Sequence, residues 1–544
     1  MEFFRDWGLT LLIFLPLVGV TVMMAFPKSE EKLHKMIALG TSFVVAAIGI
    51  ILLFDFDYGA SGELQWSVTL DWIDIISTQY AIGVDGISLP LLMLTLLITP
   101  LVIIYSWNHF PEPSNPKAFL ILILVLHSGM IGTFLSRDLI LFFVFFEVVL
   151  LPMFFMIAVW GGEDRKYASL KFFLYTLFGS ALMLVSFLAL FFLAGGETFS
   201  IVGLADAVRE NDVSRTAQLW VFGGMFLGFG IKVPIFPFHT WLPDAHTQAP
   251  TQGSVILAAV LLKLGTYGFV RIAIPILPTA AVAWAPWIGL LAVIGIIYGA
   301  LGCLAQTDMK RLIAFSSVAH MGYVMLGIAT LTDWGLNAAV FGMVAHGLIT
   351  GMLFFVAGSI KERYHTLEIK RLGGLLLQAP RMGWILGFIT MASLGLPGLA
   401  GFWGEFPAIL AAYNPANGLP VGVFRAYMVV AAIGTVLAAG YLLWLLQRTA
   451  MGTVSEEFVD DPEIVDTKRT EWWAWSPLLV LILVFGLVPG LIFNTTDPAV
   501  DAQLSECLTV VTENKGDFDV ALCESQGVDV ALANLGVVST AEGE

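Results

Sequence analysis

Apolar residues run along this chain in blocks of roughly 18 or more, too long for strands and too uniform for the striped helices of a soluble domain. The blocks fall near 9–26, 36–54, 81–106, 118–135, 139–159, 172–194, 218–240, 252–272, 281–304, 311–331, 336–360, 382–412, 423–447 and 474–493. Each predicts a helix able to span a bilayer, so the fold class is an all-α polytopic membrane protein with about fourteen transmembrane helices. The first block follows mixed acid and base and ends at Phe26-Pro27-Lys28 with no small-residue cleavage motif, which predicts a retained helix. Blocks seven and twelve hold proline beside a charge: Gly228-Phe229-Gly230-Ile231-Lys232-Val233-Pro234 and Gly401-Phe402-Trp403-Gly404-Glu405-Phe406-Pro407. Proline removes a backbone N–H and clashes one turn back, so helices 7 and 12 are predicted to be discontinuous. The interruption Leu394-Gly395-Leu396-Pro397-Gly398 makes block twelve either one broken helix or a helix plus a re-entrant piece. The Lys232 and Glu405 twins lie five spans apart, and an odd offset reverses direction through the membrane. The expected division is therefore N-terminal helices over 1–117, two inverted five-helix repeats over 118–272 and 281–447, a loop and last helix over 448–493, and an acidic tail over 494–544.

Composition agrees with this class, because 58% of the 544 residues are hydrophobic and 12% charged, against about 25% charged in soluble domains. The net charge of −16 is local: residues 494–544 hold ten acids against one lysine, and residues 451–473 hold seven acids against two bases. No basic patch suggests nucleic acid. Seventeen of the 26 Lys and Arg fall in loops that follow odd-numbered spans, from Lys28 to Arg469, and seven fall on the other side. The positive-inside rule then puts both termini on the periplasmic side of a bacterial cytoplasmic (inner) membrane. Cys303, Cys507 and Cys523 have no metal or haem spacing. Cys507 and Cys523, on the oxidising side, are expected to pair.

Charge inside the spans carries the chemistry. Glu147 sits in an otherwise uncharged run from Leu139 to Trp160, and Lys232, Lys263 and Glu405 sit in similar runs. A charge at the centre of a membrane helix costs about 2.5 to 3.5 kcal/mol on insertion scales, so four of them point to paired charges, water or proton traffic. Lys263 lies eight residues from Arg271 and eleven from Gln252, about 12 Å or more from either helix end at 1.5 Å per residue, too deep for snorkelling. His320 and His346 are candidate relay groups, whereas His127 more simply bridges helices. His239, Asp244 and His246 at the end of span seven match no metal site; they shape an entrance or cap the helix. Burial disfavours the charged form of Lys and Glu alike and pairing restores it, so a change in separation moves a proton. There is no P-loop, dinucleotide fingerprint or nucleophile elbow, so the driving energy has to come from another subunit or an ion gradient.

The stretch Phe229-Gly-Ile-Lys-Val-Pro-Ile-Phe-Pro-Phe-His-Thr-Trp-Leu-Pro-Asp-Ala-His-Thr-Gln-Ala-Pro-Thr251, followed by Gly253 to Gly268, resembles the signature of the antiporter-like membrane subunits of respiratory complex I. The resemblance spans about residues 80–493. Within that family the chain is similar to the branch with a glutamate in the broken twelfth helix, here Glu405, where the sister subunits L and N carry lysine. The resemblance implies that Glu147 and Lys232 form a central pair, that Lys263 is the middle relay, that His320 and His346 connect onward, and that Glu405 ends the exit half-channel. It implies no cofactor in this chain, with flavin, iron–sulfur clusters and quinone in partner subunits, and it implies L and N subunits, lipid and protons as partners. A subunit of a multi-subunit sodium/proton antiporter shares the signature and is the alternative; an inert membrane scaffold is a third reading, in which Lys232 and Glu147 tolerate neutral replacement.

Overall fold

A computed structural model describes residues 2–459 and 461–513, with side chains described as far as Leu504. Among the described residues twelve helices are long and apolar enough to cross a membrane. The other two predicted spans are each broken in two, into Arg215–Lys232 and Trp241–Gln248, and into Pro380–Ser393 and Ala400–Ala411. Hydropathy alone does not say which spans face lipid, and packing does. Thr251–Ile276 and Asp333–Tyr364 are buried along their whole apolar windows, whereas Arg469–Leu487 and Val421–Ala450 leave most of theirs outward. The two central helices carry Lys263 and His346.

Each break has a local cause. Pro234 ends the first half of span seven at Lys232, and the carbonyl of Ile231 freed there accepts a 2.9 Å hydrogen bond from the indole N–H of Trp241. In span twelve the two sequence signals separate, and the break falls at the 394–398 interruption. Pro407 lies inside the Ala400–Ala411 helix and opens nothing; the chain opens earlier, at Gly395 (φ +74°), Pro397 and Gly398 (φ +93°). Glycine alone adopts those angles without strain, so Leu-Gly-Leu-Pro-Gly makes the break and not the proline beside the charge. The break thus follows Lys232 but precedes Glu405.

Two elements escaped the hydropathy pattern. Gln65–Ile73 pairs antiparallel with Thr78–Val84 in a hairpin, and the third membrane helix starts only at Ser88. The second strand runs into an apolar block, which hides its period of two. Residues 494 onward are not simply an acidic tail either, since Gly490–Glu513 is helical. Ala499, Val500 and Leu504 are buried there while Asp497 and Asp501, one turn apart, face outward. The expected Cys507–Cys523 bridge lies outside the residues whose side chains are described.

Just ahead of Ser88, the Asp85 carboxylate meets the guanidinium of Arg271 at 2.5 Å and that of Arg137 at 3.4 Å, all three nearly buried. Burial pushes the Asp85 carboxyl up, but Arg271 and Arg137 outweigh it and hold it at about 2. Because that is below the unfolded value of about 3.9, the stabilisation is full above the unfolded value and is lost as pH falls through about 2. Asp85→Asn should cost about 3 to 5 kcal/mol, since it leaves two buried guanidiniums without their anion. A lowered thermal midpoint for the variant in membranes is the expected reading; an unchanged midpoint would make the cluster neutral.

Candidate functional site

Six of the ionisable residues singled out in the sequence lie on the inner helices, and four of them touch or nearly touch in series. The Lys263 ammonium lies 2.7 Å from His346 Nδ1. The His346 and His320 rings are 6.1 Å apart, centroid to centroid. His320 Nδ1 lies 2.5 Å from a carboxylate oxygen of Glu405. Lys263 is fully buried, His320 and His346 are nearly so, and Glu405 is partly exposed. A cavity lined by His320, His346, Thr350, Ser393 and Glu405 fills the gap between the rings, with about 20 Å³ for a water centre, enough for one.

The backbone sets these distances. Residues Leu257–Leu261 are π-helical, a departure common at functional sites. The Lys263 ammonium turns back on the Ala258 carbonyl in that stretch, which gives the charge a polar partner on its own helix. No feature of the sequence marked it. On the other side, a Cβ on Gly404 would sit 2.5 Å from Gly342 Cα. The absence of side chains there lets the Glu405 helix press against Asp333–Tyr364, so that Glu405 reaches the histidines.

Glu147 and Lys232 stand at the other end. The Ser180 hydroxyl near Glu147 donates to the Leu177 carbonyl on its own helix at 3.1 Å. Among the described residues no ion pair within 4 Å joins Glu147 to Lys232, so the pair implied by the resemblance is separated in this structure. The Lys232 ammonium lies 4.6 Å from the Phe146 ring centroid instead, a contact that offsets part of the lost hydration. The Leu139–Val148 helix stops one residue past Glu147 and resumes at Leu150. Pro152 explains the interruption, because its ring collides with the Val148 carbonyl. Pro152 was missed in the sequence; a proline five residues after a carboxylate in an apolar run was the available signal.

The remaining candidates separate. His246 is fully buried, stacked on Phe354 at 4.4 Å and electrostatically coupled to both Lys263 and Lys310, so it belongs to the surroundings of the relay. His239 stacks on Phe236 and meets Tyr298 edge-on. Asp244 is drawn outward, 2.7 Å from Lys171 and 3.7 Å from Arg311. Among the described residues neither ring nitrogen of His127 has a hydrogen-bond partner, so it does not bridge helices by the hydrogen bonds expected of it. No group of three His, Cys, Asp or Glu among the described residues could hold a metal ion.

Comparison with known proteins adds the following. Residues 136–431 match the family model described as NADH:quinone oxidoreductase/Mrp antiporter, TM, and residues 10–133 match NADH-ubiquinone oxidoreductase chain 4, amino terminus. NADH-quinone oxidoreductase subunit M of Rhodobacter capsulatus is 39% identical over 506 residues, covering 90% of this chain and 95% of that one. Subunit M of Rickettsia bellii is 39% identical over 504 residues, covering 91% and 98%. A chain of respiratory complex I from Thermus thermophilus superposes with a TM-score of 0.80 at 28% identity, over 92% of this chain and 99% of that one. A chain of the Mrp complex from Dietzia superposes with a TM-score of 0.77 over 91% and 97%; at 20% identity that likeness is one of fold.

Proposed function

The chain belongs to the NADH:quinone oxidoreductase/Mrp antiporter family, in its subunit M (chain 4) branch, and on that premise we propose that it translocates protons in the membrane arm of NADH:quinone oxidoreductase. The observation that supports this most directly is the series Lys263, His346, His320, Glu405, in which every neighbour can accept or release a proton and no gap exceeds one water. The second nitrogen of His346 and the second oxygen of Glu405 lack hydrogen-bond partners, and both residues line the cavity where a water would meet them.

The movable element is the pair at the start. When Glu147 approaches Lys232 the ammonium is stabilised and holds a proton; when it withdraws, the proton is released towards Lys263 and on to Glu405. The energy comes from quinone reduction in other subunits. Flavin, iron–sulfur and quinone chemistry stay in partner subunits, the antiporter-like L and N subunits are further membrane partners, and this chain takes part as a translocase without redox chemistry. The same reading divides the chain into inverted repeats over 118–272 and 281–447, a break behind Lys232 in one and ahead of Glu405 in the other. It places the chain in a bacterial cytoplasmic membrane with its termini on the periplasmic side.

Solubilising the native assembly and purifying it through a tag on this chain tests the assignment. Flavin and iron–sulfur absorption should co-purify, and the reconstituted complex should acidify one side of a vesicle on NADH addition. Absent flavin together with sodium-dependent proton exchange would replace this reading with the antiporter one.

A further inference from the structure

His320 is held on both sides, and the partners on the second side are not themselves members of the series described above. While Nδ1 faces Glu405, Nε2 lies 3.2 Å from the Ser393 hydroxyl and 3.2 Å from the Tyr441 hydroxyl. Ser393 is the last residue of the Pro380–Ser393 helix and Glu405 belongs to the helix beyond the break. The imidazole therefore bridges the two halves of span twelve. Tyr441 comes from Val421–Ala450 and is fully buried, and Ser393 also lines the cavity between the two histidine rings.

A neutral imidazole has one N–H and one bare nitrogen, and a carboxylate only accepts. With Glu405 ionised, Nδ1 carries the hydrogen and Nε2 needs a donor. Once a proton arriving from the cavity sits on Nε2 and the Nδ1 proton passes to Glu405, Nε2 has become the donor and needs an acceptor. Hydroxyls do both by rotating about one bond; an amide fixed in place or an ammonium does only one. Building on the relay reading above, we propose that Tyr441 and Ser393 are positioning residues that support both tautomers of His320, and so let it take a proton at Nε2 and give one up at Nδ1. One proton enters at Nε2 and one leaves at Nδ1, so the ring passes from one neutral tautomer to the other while the hydroxyls change from donating to Nε2 to accepting from it.

Five variants of the assembled complex test this, with NADH-driven pumping per electron as the readout. Tyr441→Phe keeps the ring in place and Ser393→Ala keeps the helix, so each should retain at least half of the pumping through the remaining hydroxyl. The double variant leaves Nε2 without a partner in either state and should lose about tenfold or more. Tyr441→Phe with Ser393→Thr, which retains one hydroxyl, should return to the level of Tyr441→Phe alone. Infrared spectra of 15N-histidine-labelled complex, taken as differences against His320→Gln, should show the His320 ring bands displaced in the double variant and not in either single one. A double variant that pumps normally beside an inactive His320→Gln would overturn the positioning role and leave the relay standing. So would loss that Ser393→Thr fails to restore, because that loss comes from packing. Normal pumping in His320→Gln would instead remove the relay itself.

Discussion

Lys232→Ala abolishes proton pumping in the expected outcome while the complex still assembles. Among the described residues Lys232 makes no contact ion pair whose loss would strand a bare charge at van der Waals distance, and Glu147 keeps partial exposure. Alanine also favours the helix that ends there. What disappears is the group that holds a proton when Glu147 comes near and yields it when Glu147 withdraws. Lys232→Arg sharpens the test. Arginine keeps the positive charge but stays protonated at any pH a membrane survives, so it should pump no better than alanine although it satisfies Glu147 electrostatically. Glu147→Ala should match both, because a buried ammonium without a nearby carboxylate has nothing to switch its proton affinity. NADH oxidation should slow with pumping if coupling is tight. Pumping assays in vesicles with assembly checked on native gels decide it: normal pumping in assembled Lys232→Ala would end the role of this residue, and pumping by Lys232→Arg would mean that charge alone suffices.

What the sequence made legible follows from the cost of charge in hydrocarbon. Glu147, Lys232, Lys263 and Glu405 stood out because each sits in an apolar run where such a residue needs a reason. The structure brings Lys263 and Glu405 into one series through His320 and His346, the two histidines the sequence had set apart from His127 as relay candidates. The helical membrane class and the twelve long apolar helices among the described residues were legible because hydrophobic blocks are set by bilayer thickness. The π-helical turn before Lys263 was not, since it is fixed by where the Lys263 ammonium finds a carbonyl rather than by residue type. Nor were Ser393 and Tyr441, polar residues of ordinary kind whose role depends on the rotation of two helices about their axes. The hairpin at 65–84 was hidden for a third reason, because its second strand borrows the hydrophobicity of the span that follows.

Glu405→Gln should reduce pumping at least tenfold with little change in structure, and the reason lies in what the amide keeps. Its carbonyl oxygen can still accept from His320 Nδ1, where the carboxylate now sits at 2.5 Å, so the packing of Ala400–Ala411 against Asp333–Tyr364 is retained. The amide cannot take up the proton, which then stays on the imidazole. Glu405→Asp keeps a titratable group but withdraws it by one methylene, about 1.5 Å; it should pump at an intermediate rate, because one water in the cavity can close that gap. Glu405→Lys, the residue type that the resemblance gives to the sister subunits, exchanges a carboxylate for an ammonium. Partial pumping is expected from it as well, since the exit needs a group that can gain and lose a proton and not a particular sign. The ordering Glu above Asp and Lys, with Gln below them, is what a terminal proton carrier produces in vesicle acidification on NADH addition. Equal pumping by Gln and Glu would make this residue a hydrogen-bonding spacer and would move the exit elsewhere on the polar axis.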